Sequence, residues 1–458
     1  MRYTRRSRIA APAARVFAWH ARPGAFERLT PPWSPVRVLE RRGGIEPGGR
    51  VVLRMPVGPF GVRWVAEHRD YEEGRQFRDV QTSGPFARWE HTHRMEPDGD
   101  AACTLDDTVE YELPLGPLGR AAGGPMVRAL LPALFAYRHR LTIEDLAAHA
   151  GCDVTGPARV LVTGASGLIG ATLVPLLTTG GHAVTRLVRG IRQDPATVRW
   201  DPDAGTIDAA GLDGHDAVVH LAGESIASGR WTPARKERIR QSRARGTRLL
   251  AETLARLPRP PRTLVSASAI GWYGDRGDAI VDEDAAPGSG FLADVCRDWE
   301  AATEPARAAG IRVVHVRLGV VLTPAGGALA QMLTPFRMGV GGRIGDGRQW
   351  MSWIGIDDAA GVVHHALVTE TLAGAVNAVA PEPVTNADFT ATLARVLRRP
   401  ALLPVPAAAA RLAFGEMADA LLLASARVRP GRLVAAGYPF RTPTLEGALR
   451  RLLGREAP

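Results

Sequence analysis

The stretch that most constrains this chain is Arg159–Gly170, where an apolar, β-branched run ends in a turn with glycines at 164, 167 and 170. The turn opens into the amphipathic segment Leu168–Leu177, so the local order is strand, tight turn, helix. Gly164 lets the chain leave the strand sharply, and Gly167 lets the backbone approach a pyrophosphate. Gly170 lets the helix pack close to its sheet. The free N–H groups of the first helical turn, around Ala165, Ser166, Leu168 and Ile169, then face the anion. Dinucleotide binding is the expectation. Pro175, past the first turn, predicts a kink in that helix.

A chain of 458 residues holds about three domains on a prior of roughly 150 residues each. Its hydrophobic content of 45% supports buried cores and argues against disorder. No apolar run approaches the ~20 residues that span a bilayer. The basic start, Met1–Arg8, lacks the apolar segment of a secretion signal. Cys103, Cys152 and Cys296 are scattered, which fits a reducing cytoplasm and excludes a disulfide framework or zinc motif. The net charge of +10 raises nucleic acid as a partner. The arginines, however, are interleaved with Asp and Glu, without aromatic-basic alternation, so a solvated surface is expected instead. The chain contains a single lysine, Lys236.

Residues 1–149 show β-like runs at Val51–Met55, Val62–Tyr71, Gln76–Gln81, Ala87–Met95 and Cys103–Glu112, then a helical pattern over Met126–Ala148. This predicts a curved antiparallel sheet closed by a long helix, with a cavity between them. Strand alternation puts Trp89, His91, His93 and Met95 on one face, and Leu105, Asp107, Val109 and Tyr111 on one face of the later strand. The expected cavity wall is therefore apolar, with Trp89, His91, His93, Asp107 and Tyr111 on it. Two histidines two residues apart are not a metal signature. A structural His–Asp pair is expected there, and no metal.

This pattern resembles the START-like superfamily of ligand-binding cups, the polyketide cyclase and dehydrase relatives. The likeness rests on Phe26–Trp33, on Gly84–Phe86 with Trp89–His93, and on Phe135–His139. It implies an α+β helix-grip fold and a cavity for an apolar or amphipathic molecule. Residues 150–157, rich in Gly and Pro, read as a linker.

The second strand of the next domain is expected at His182–Arg189. An NAD enzyme usually places a carboxylate at its end, for the adenosine ribose. Here the chain offers Arg186, Leu187, Val188 and Arg189, with no acid until Asp194. Arg189 is the candidate for a 2′-phosphate, so NADP(H) is expected over NAD(H). Further strands are expected at Asp216–Leu221, running into Ala222–Gly223, at Thr263–Ser268 and at Arg312–Gly319. A helix is expected over Asp294–Ala309. Alternation of this kind predicts an α/β, doubly wound, Rossmann-type parallel sheet over residues 158–400, with its site at the strands' carboxyl ends.

From Val160 to about Asp358 the chain resembles the extended short-chain dehydrogenase/reductase superfamily, in its epimerase/dehydratase branch. Leu221–Ile226, Arg230–Thr232, Ser242–Thr247, Ser268–Gly274, Trp299–Glu300 and Ser352–Asp358 match the subfamily called epimerase family proteins. Arg399–Pro400, just before it, and Pro404–Pro406, Gly415–Glu416, Arg429–Pro430 and Leu433 within it match its family-specific tail, residues 401–458. The resemblance implies a cofactor along Gly164–Gly170, Leu221, Ala222, Gly223, Glu224 and Ser268, with a small C-terminal substrate lobe.

One departure bears on chemistry. The superfamily usually carries Tyr-x-x-x-Lys, where the lysine favours phenolate near neutrality. Counting back from Glu300 puts Leu292 and Cys296 at those places, so the dyad is absent. Ser268 and Tyr273 become the candidate catalytic pair, with Glu224 and Asp294 as other titratable groups. Equally, Tyr273 packs under the nicotinamide, Glu224 caps a helix and Ser268 satisfies backbone.

The glycine-rich loop Gly339–Trp350 carries Arg343, Arg348 and Trp350, placed either to grip an anionic or aromatic substrate or to form an interface or lid. Three functions stay open. The first is an NADP(H)-dependent oxidoreductase acting on a small carbonyl or hydroxyl substrate, fused to an apolar-ligand cup. The second is a nucleotide-sugar epimerase or dehydratase with bound NAD. The third is a non-catalytic NADP(H)-sensing protein.

Overall fold

The computed structural model describes residues 1–34, 36–57, 60–151, 156, 158–190 and 194–455. They divide into two compact units, one drawn mostly from residues before 153 and the other mostly from residues after 154. Of the linker expected at 150–157, residues 152–155 and 157 lie outside the described residues, and Cys152 with them. Cys103 and Cys296 are free and buried.

The first unit contains β1 (Arg2–Ile9), α1 (Ala13–Ala21), α2 (Ala25–Leu29), β2 (Arg37–Arg42), β3 (Arg50–Val57), β4 (Phe60–Glu72), β5 (Gln76–Ser83), β6 (Arg88–Pro97), β7 (Cys103–Glu112) and α3 (Gly116–Ala150). Its strands form one antiparallel sheet in the order β1-β7-β6-β5-β4-β3-β2. Along β6 the buried residues are Trp89, His91, His93 and Met95, and along β7 Cys103, Leu105, Asp107, Val109 and Tyr111, as alternation predicts. α3 begins at Gly116 rather than Met126 and runs through Pro125 and Pro132. Glycines and prolines make that stretch a poor helix by local propensity. Packing of Val127, Leu131 and Phe135 against Trp64, Trp89 and Tyr111 supplies the stabilisation that propensity withholds. A buried two-pronged ion pair, Arg28 to Asp145 at 2.8 Å for both bonds, ties α2 to α3.

The second unit runs through β8 (Arg159–Thr163), α4 (Leu168–Thr179), β9 (Ala183–Val188), β10 (Thr197–Asp201), β11 (Thr206–Ile207), β12 (Ala217–His220), α5 (Pro233–Ala255), β13 (Thr263–Ala269) and β14 (Ile280–Val281). It continues with α6 (Phe291–Ala301), α7 (Glu304–Ala308), β15 (Arg312–Leu318), β16 (Val320–Leu322), α8 (Gly327–Arg337), β17 (Trp350–Met351), β18 (Trp353–Gly355), α9 (Ile356–Val368) and β19 (Gly374–Ala378). The main sheet has the order β11-β10-β9-β8-β12-β13-β15-β19. From β10 to β19 every pair is parallel, and only the β10–β11 edge is antiparallel. The order reverses between β8 and β12, which opens a crevice at the strands' carboxyl ends. α4 is one helix with Pro175 inside it. The single helix expected over Asp294–Ala309 is instead α6 and α7. They divide at Thr303, whose hydroxyl lies 2.7 Å from the Glu300 carbonyl and 2.9 Å from His315 Nε2.

The C-terminal tail is held onto α9 by one buried carboxylate. Asp358 is 1% exposed and accepts from Arg441 N (2.8 Å), Thr442 N (3.0 Å), Thr442 Oγ1 (2.6 Å) and Tyr438 Oη (3.2 Å). Asp358→Ala leaves those donors without their acceptor in a dry site, so a loss of about 3 kcal/mol is expected. Chemical denaturation checks it, and a loss below about 1 kcal/mol assigns the tail's attachment to apolar packing instead. Among the described residues, no helix is long and apolar enough to cross a membrane.

Candidate functional site

The site is built on the carboxyl ends of β8, β9, β12 and β13. Gly164 has φ +67°, and a Cβ there would lie 2.7–2.8 Å from backbone atoms of Leu221 and Ala222. At Gly170 a Cβ would lie 2.3 Å from the Gly164 carbonyl oxygen. The loop is thus folded on itself and against the exit of β12, with no space for side chains. Its outer rim, Ser166, Gly167 and Leu168, is exposed. The amides of Leu168, Ile169 and Gly170 have no hydrogen-bond acceptor among the described residues. An open helix start with free donors fits a phosphate group.

A neutral histidine fixes the next strand end. Thr163 Oγ1 accepts from Leu221 N at 3.1 Å and Ala222 N at 3.2 Å, so its own proton points to His220 Nδ1 at 2.8 Å. His220 Nε2 then donates to Thr247 Oγ1 at 2.9 Å. Burial pushes His220 down to about 4, which keeps the ring uncharged and this donor order intact near neutral pH.

Beyond it, Gly223 faces a cation that the sequence reading passed over. A Cβ on Gly223 would lie 3.4 Å from Arg243 Cζ. Arg243 comes from α5, donates to the Ile239 carbonyl at 3.1 Å and rests its guanidinium 4.9 Å from the Trp299 ring centre. Burial lowers the Arg243 pKa, while Cys296 and Glu224 act in the opposite direction. Glu224 itself accepts from Arg235 Nη1 at 2.8 Å, and its amide donates to Ser242 Oγ at 3.1 Å. α6 does pass beside the turn after β13, since a Cβ on Gly271 would lie 3.2 Å from Leu292 Cβ and 3.6 Å from Cys296 Sγ. Neither residue restores the missing dyad: leucine is inert, and burial pushes the Cys296 thiol up to about 11.

Ser268 and Tyr273 belong to a closed network. Ser268 Oγ donates to Glu300 at 2.7 Å, and Arg317 grips the same carboxylate from Nε at 2.8 Å and Nη2 at 2.9 Å. Arg317 Nη1 donates to Tyr273 Oη at 3.1 Å, and that hydroxyl donates to Asn377 Oδ1 at 2.7 Å. Asn377 N in turn donates to Glu283 Oε1 at 3.0 Å. Ser268 is 1% and Tyr273 0% exposed. Burial raises the Tyr273 pKa against the opposing pull of Arg317, so the phenol stays protonated. Both hydroxyls are hydrogen-bonded inside the fold, Ser268 to Glu300 and Tyr273 to Asn377.

Three family descriptions cover most of the chain. Residues 160–378 match the NAD dependent epimerase/dehydratase family, residues 9–135 the polyketide cyclase / dehydrase and lipid transport family, and residues 405–452 a domain of unknown function, DUF1731. An epimerase family protein of Mycobacterium tuberculosis is 44% identical over 292 residues, spanning 64% of this chain and 96% of the relative. The chain belongs to the epimerase family. The human epimerase family protein SDR39U1, whose isoform 2 structure is described with NADPH, is 37% identical, with 64% of this chain and 99% of that one covered and a TM-score of 0.59. A nucleoside-diphosphate sugar epimerase structure from Corynebacterium glutamicum aligns over 99% of this chain and 90% of its own, at 36% identity and a TM-score of 0.82. The NAD-binding epimerase fold and the START-like unit expected from sequence are thus both present.

In this epimerase-family chain the remaining candidates separate by environment. Trp350 is occupied: its Nε1 donates to Asp278 at 2.9 Å, and Arg427 Cζ sits 4.1 Å over its ring. The loop before it is stitched down by Val405 N to Arg343 O at 2.8 Å and Gly345 N to Val405 O at 2.9 Å. Arg343 and Arg348 point from it as exposed side chains. In the first unit Trp89 packs edge-on against Trp64 at 5.0 Å and lies 6.2 Å from Tyr111, centre to centre. His91 Nε2 and His93 Nδ1 approach Asp107 at 3.1 and 2.7 Å. Sequence spacing gave no sign of Arg243, Glu300 as a partner of Ser268, or Arg317. For Arg243 and Glu300 the available signal was their place inside the matched segments Ser242–Thr247 and Trp299–Glu300, and for Arg317 its place in the expected strand Arg312–Gly319.

Proposed function

We propose that the second unit is an NADP(H)-dependent oxidoreductase of the epimerase family, acting on a small carbonyl or hydroxyl substrate without the Tyr–Lys dyad. Arg189 carries this reading. It follows β9 where NAD enzymes place a carboxylate, it is exposed, and among the described residues it has no ion pair or hydrogen bond. The nearest following acid, Asp194, lies 3.6 Å from Arg186, and residues 191–193 lie outside the described residues. The human relative described with NADPH supports the same choice.

The Gly164–Gly170 loop would hold the pyrophosphate, Arg189 the 2′-phosphate, and Leu221–Gly223 the path toward the nicotinamide, which supplies or accepts the hydride when bound. Arg243, a permanent cation beside Gly223, takes the charge-stabilising part that lysine plays elsewhere. Glu224 is the carboxylate next to it with access to solvent, its side chain 36% exposed. Ser268 and Tyr273 are positioning residues in this reading, and Arg343 and Arg348 the exposed cations for an anionic substrate. The polyketide cyclase and lipid transport likeness supports an apolar ligand for the first unit.

Titration with NADPH and NADH, followed by tryptophan-to-nicotinamide energy transfer, tests the assignment. NADPH is expected to bind about 10- to 100-fold more tightly, the worth of a charge-assisted bond, and Arg189→Asp to abolish the preference. Equal affinities in the wild type overturn it. The Corynebacterium neighbour's description supports a second reading, redox-neutral sugar-nucleotide epimerisation. Substrate conversion without net cofactor oxidation distinguishes that reading from the first.

A further inference from the structure

The core of the first unit is interrupted by a layer of charge. On β6, Trp89 belongs to one apolar cluster and Met95 to another, and His91 and His93 lie between them. On β7, Asp107 separates Val109 from Leu105 in the same way. Two further groups join from other elements: Asp79 from β5 and His139 from α3, whose Nε2 lies 2.8 Å from Asp107. Burying three imidazoles and two carboxylates among apolar side chains is costly unless something binds them together.

The contacts have a definite sense. His91 turns Nδ1 toward Asp79 Oδ1 at 3.3 Å and Nε2 toward Asp107 at 3.1 Å. His93 turns Nε2 toward Asp79 Oδ1 at 3.2 Å and Nδ1 toward Asp107 at 2.7 Å. On the Asp79 side, Asp79 Oδ1 stands close to both His91 Nδ1 and His93 Nε2, and the three residues each offer a ligand atom within 4.8 Å of the others. Ligands about 2.0–2.1 Å from a tetrahedral zinc ion stand about 3.3 Å apart, close to the two separations seen here. On the far side, Asp107 is hydrogen-bonded to His91 Nε2 at 3.1 Å and lies 2.7 Å from His93 Nδ1, a carboxylate behind the imidazoles of the kind that orients ligands at metal centres. Asp79 is 22% exposed, so an ion can reach this side, whereas the Asp107 side is sealed at 4%.

We propose that Asp79, His91 and His93 form a binding site for a divalent transition-metal ion of the zinc class, with Asp107 as the carboxylate that orients both histidines. Two imidazoles and one carboxylate leave a coordination position for water or for a polar group of a ligand in the cup.

The test uses the full chain, stripped with chelator and titrated with Co²⁺ and Zn²⁺. The expected result is one equivalent per chain, a cobalt d–d spectrum of low coordination number, and a higher unfolding temperature with zinc. Asp79→Asn and His93→Gln should each weaken binding at least ~100-fold, and Asp107→Asn about 10- to 100-fold. A retained cooperative unfolding transition of the first unit, followed by the near-ultraviolet signal of its tryptophans, serves as the control that these variants fold. X-ray absorption of the zinc-loaded wild type is independent of variants and should show imidazole and oxygen scatterers. No stoichiometric uptake by the wild type, a sulfur shell, or undiminished binding in folded Asp79→Asn overturns the site.

Discussion

Arg317→Met is expected to destabilise the second unit by about 3–5 kcal/mol, the cost of leaving one member of a buried ion pair without the other. Arg317 and Glu300 are 4% and 9% exposed, and the guanidinium meets both carboxylate oxygens, the Tyr273 hydroxyl and the Glu283 carbonyl. Methionine keeps much of the volume but leaves the Glu300 carboxylate with the Ser268 hydroxyl at 2.7 Å and His315 Nδ1 at 3.8 Å and no guanidinium. The readout is the denaturant midpoint of the second unit's transition, taken separately because a chain with two units need not unfold in one step. Trp272, whose ring centre lies 3.9 Å from Arg317 Cζ, is a local reporter for it. The double variant Arg317→Met, Glu300→Leu should recover most of the loss, since apolar replacements of a buried pair are often neutral. A single-variant cost below about 1 kcal/mol shows that packing alone holds these strands.

The second large effect separates two glycines of the same loop. Gly164→Ala should cost both folding and cofactor affinity, because alanine is strained at φ +67° and its methyl meets backbone of Leu221 and Ala222. A cost of about 2–4 kcal/mol and at least a ~100-fold loss of NADPH binding are expected. Gly167→Ala places its methyl 3.3 Å from one carbonyl oxygen and otherwise on the exposed rim. Its stability should stay within about 1 kcal/mol of wild type while NADPH affinity falls at least ~10-fold, because the methyl stands where a pyrophosphate must approach. Melting temperature and NADPH titration on both variants check this. Equal behaviour of the two removes the distinction between a glycine needed by the fold and one needed by the ligand.

The sequence by itself determined what depends on neighbours along the chain. The strand–turn–helix of Val160–Leu177, its free amides and the acid-free exit of β9 are consecutive residues, and backbone geometry leaves them few alternatives. Strand alternation likewise put His91, His93 and Asp107 on their buried faces, because the period of two is fixed by the pleat. Tertiary structure decided which distant groups meet. Asp79 reaches the histidines because β5 pairs with β6 in a register that sets Asp79 opposite His91 and Phe77 opposite His93. Alternation fixes the face of a strand but not its register. Ser268 meets Glu300 32 positions away, Tyr273 meets Asn377 104 away, and Arg243 is brought to Gly223 by α5. α3 stays helical through Pro125 and Pro132 against local propensity because the sheet gives Val127 and Leu131 a surface to bury. The glycine loop is a property of twelve consecutive residues; the charged networks around it, and in the first unit, exist only once separate strands and helices have been packed together.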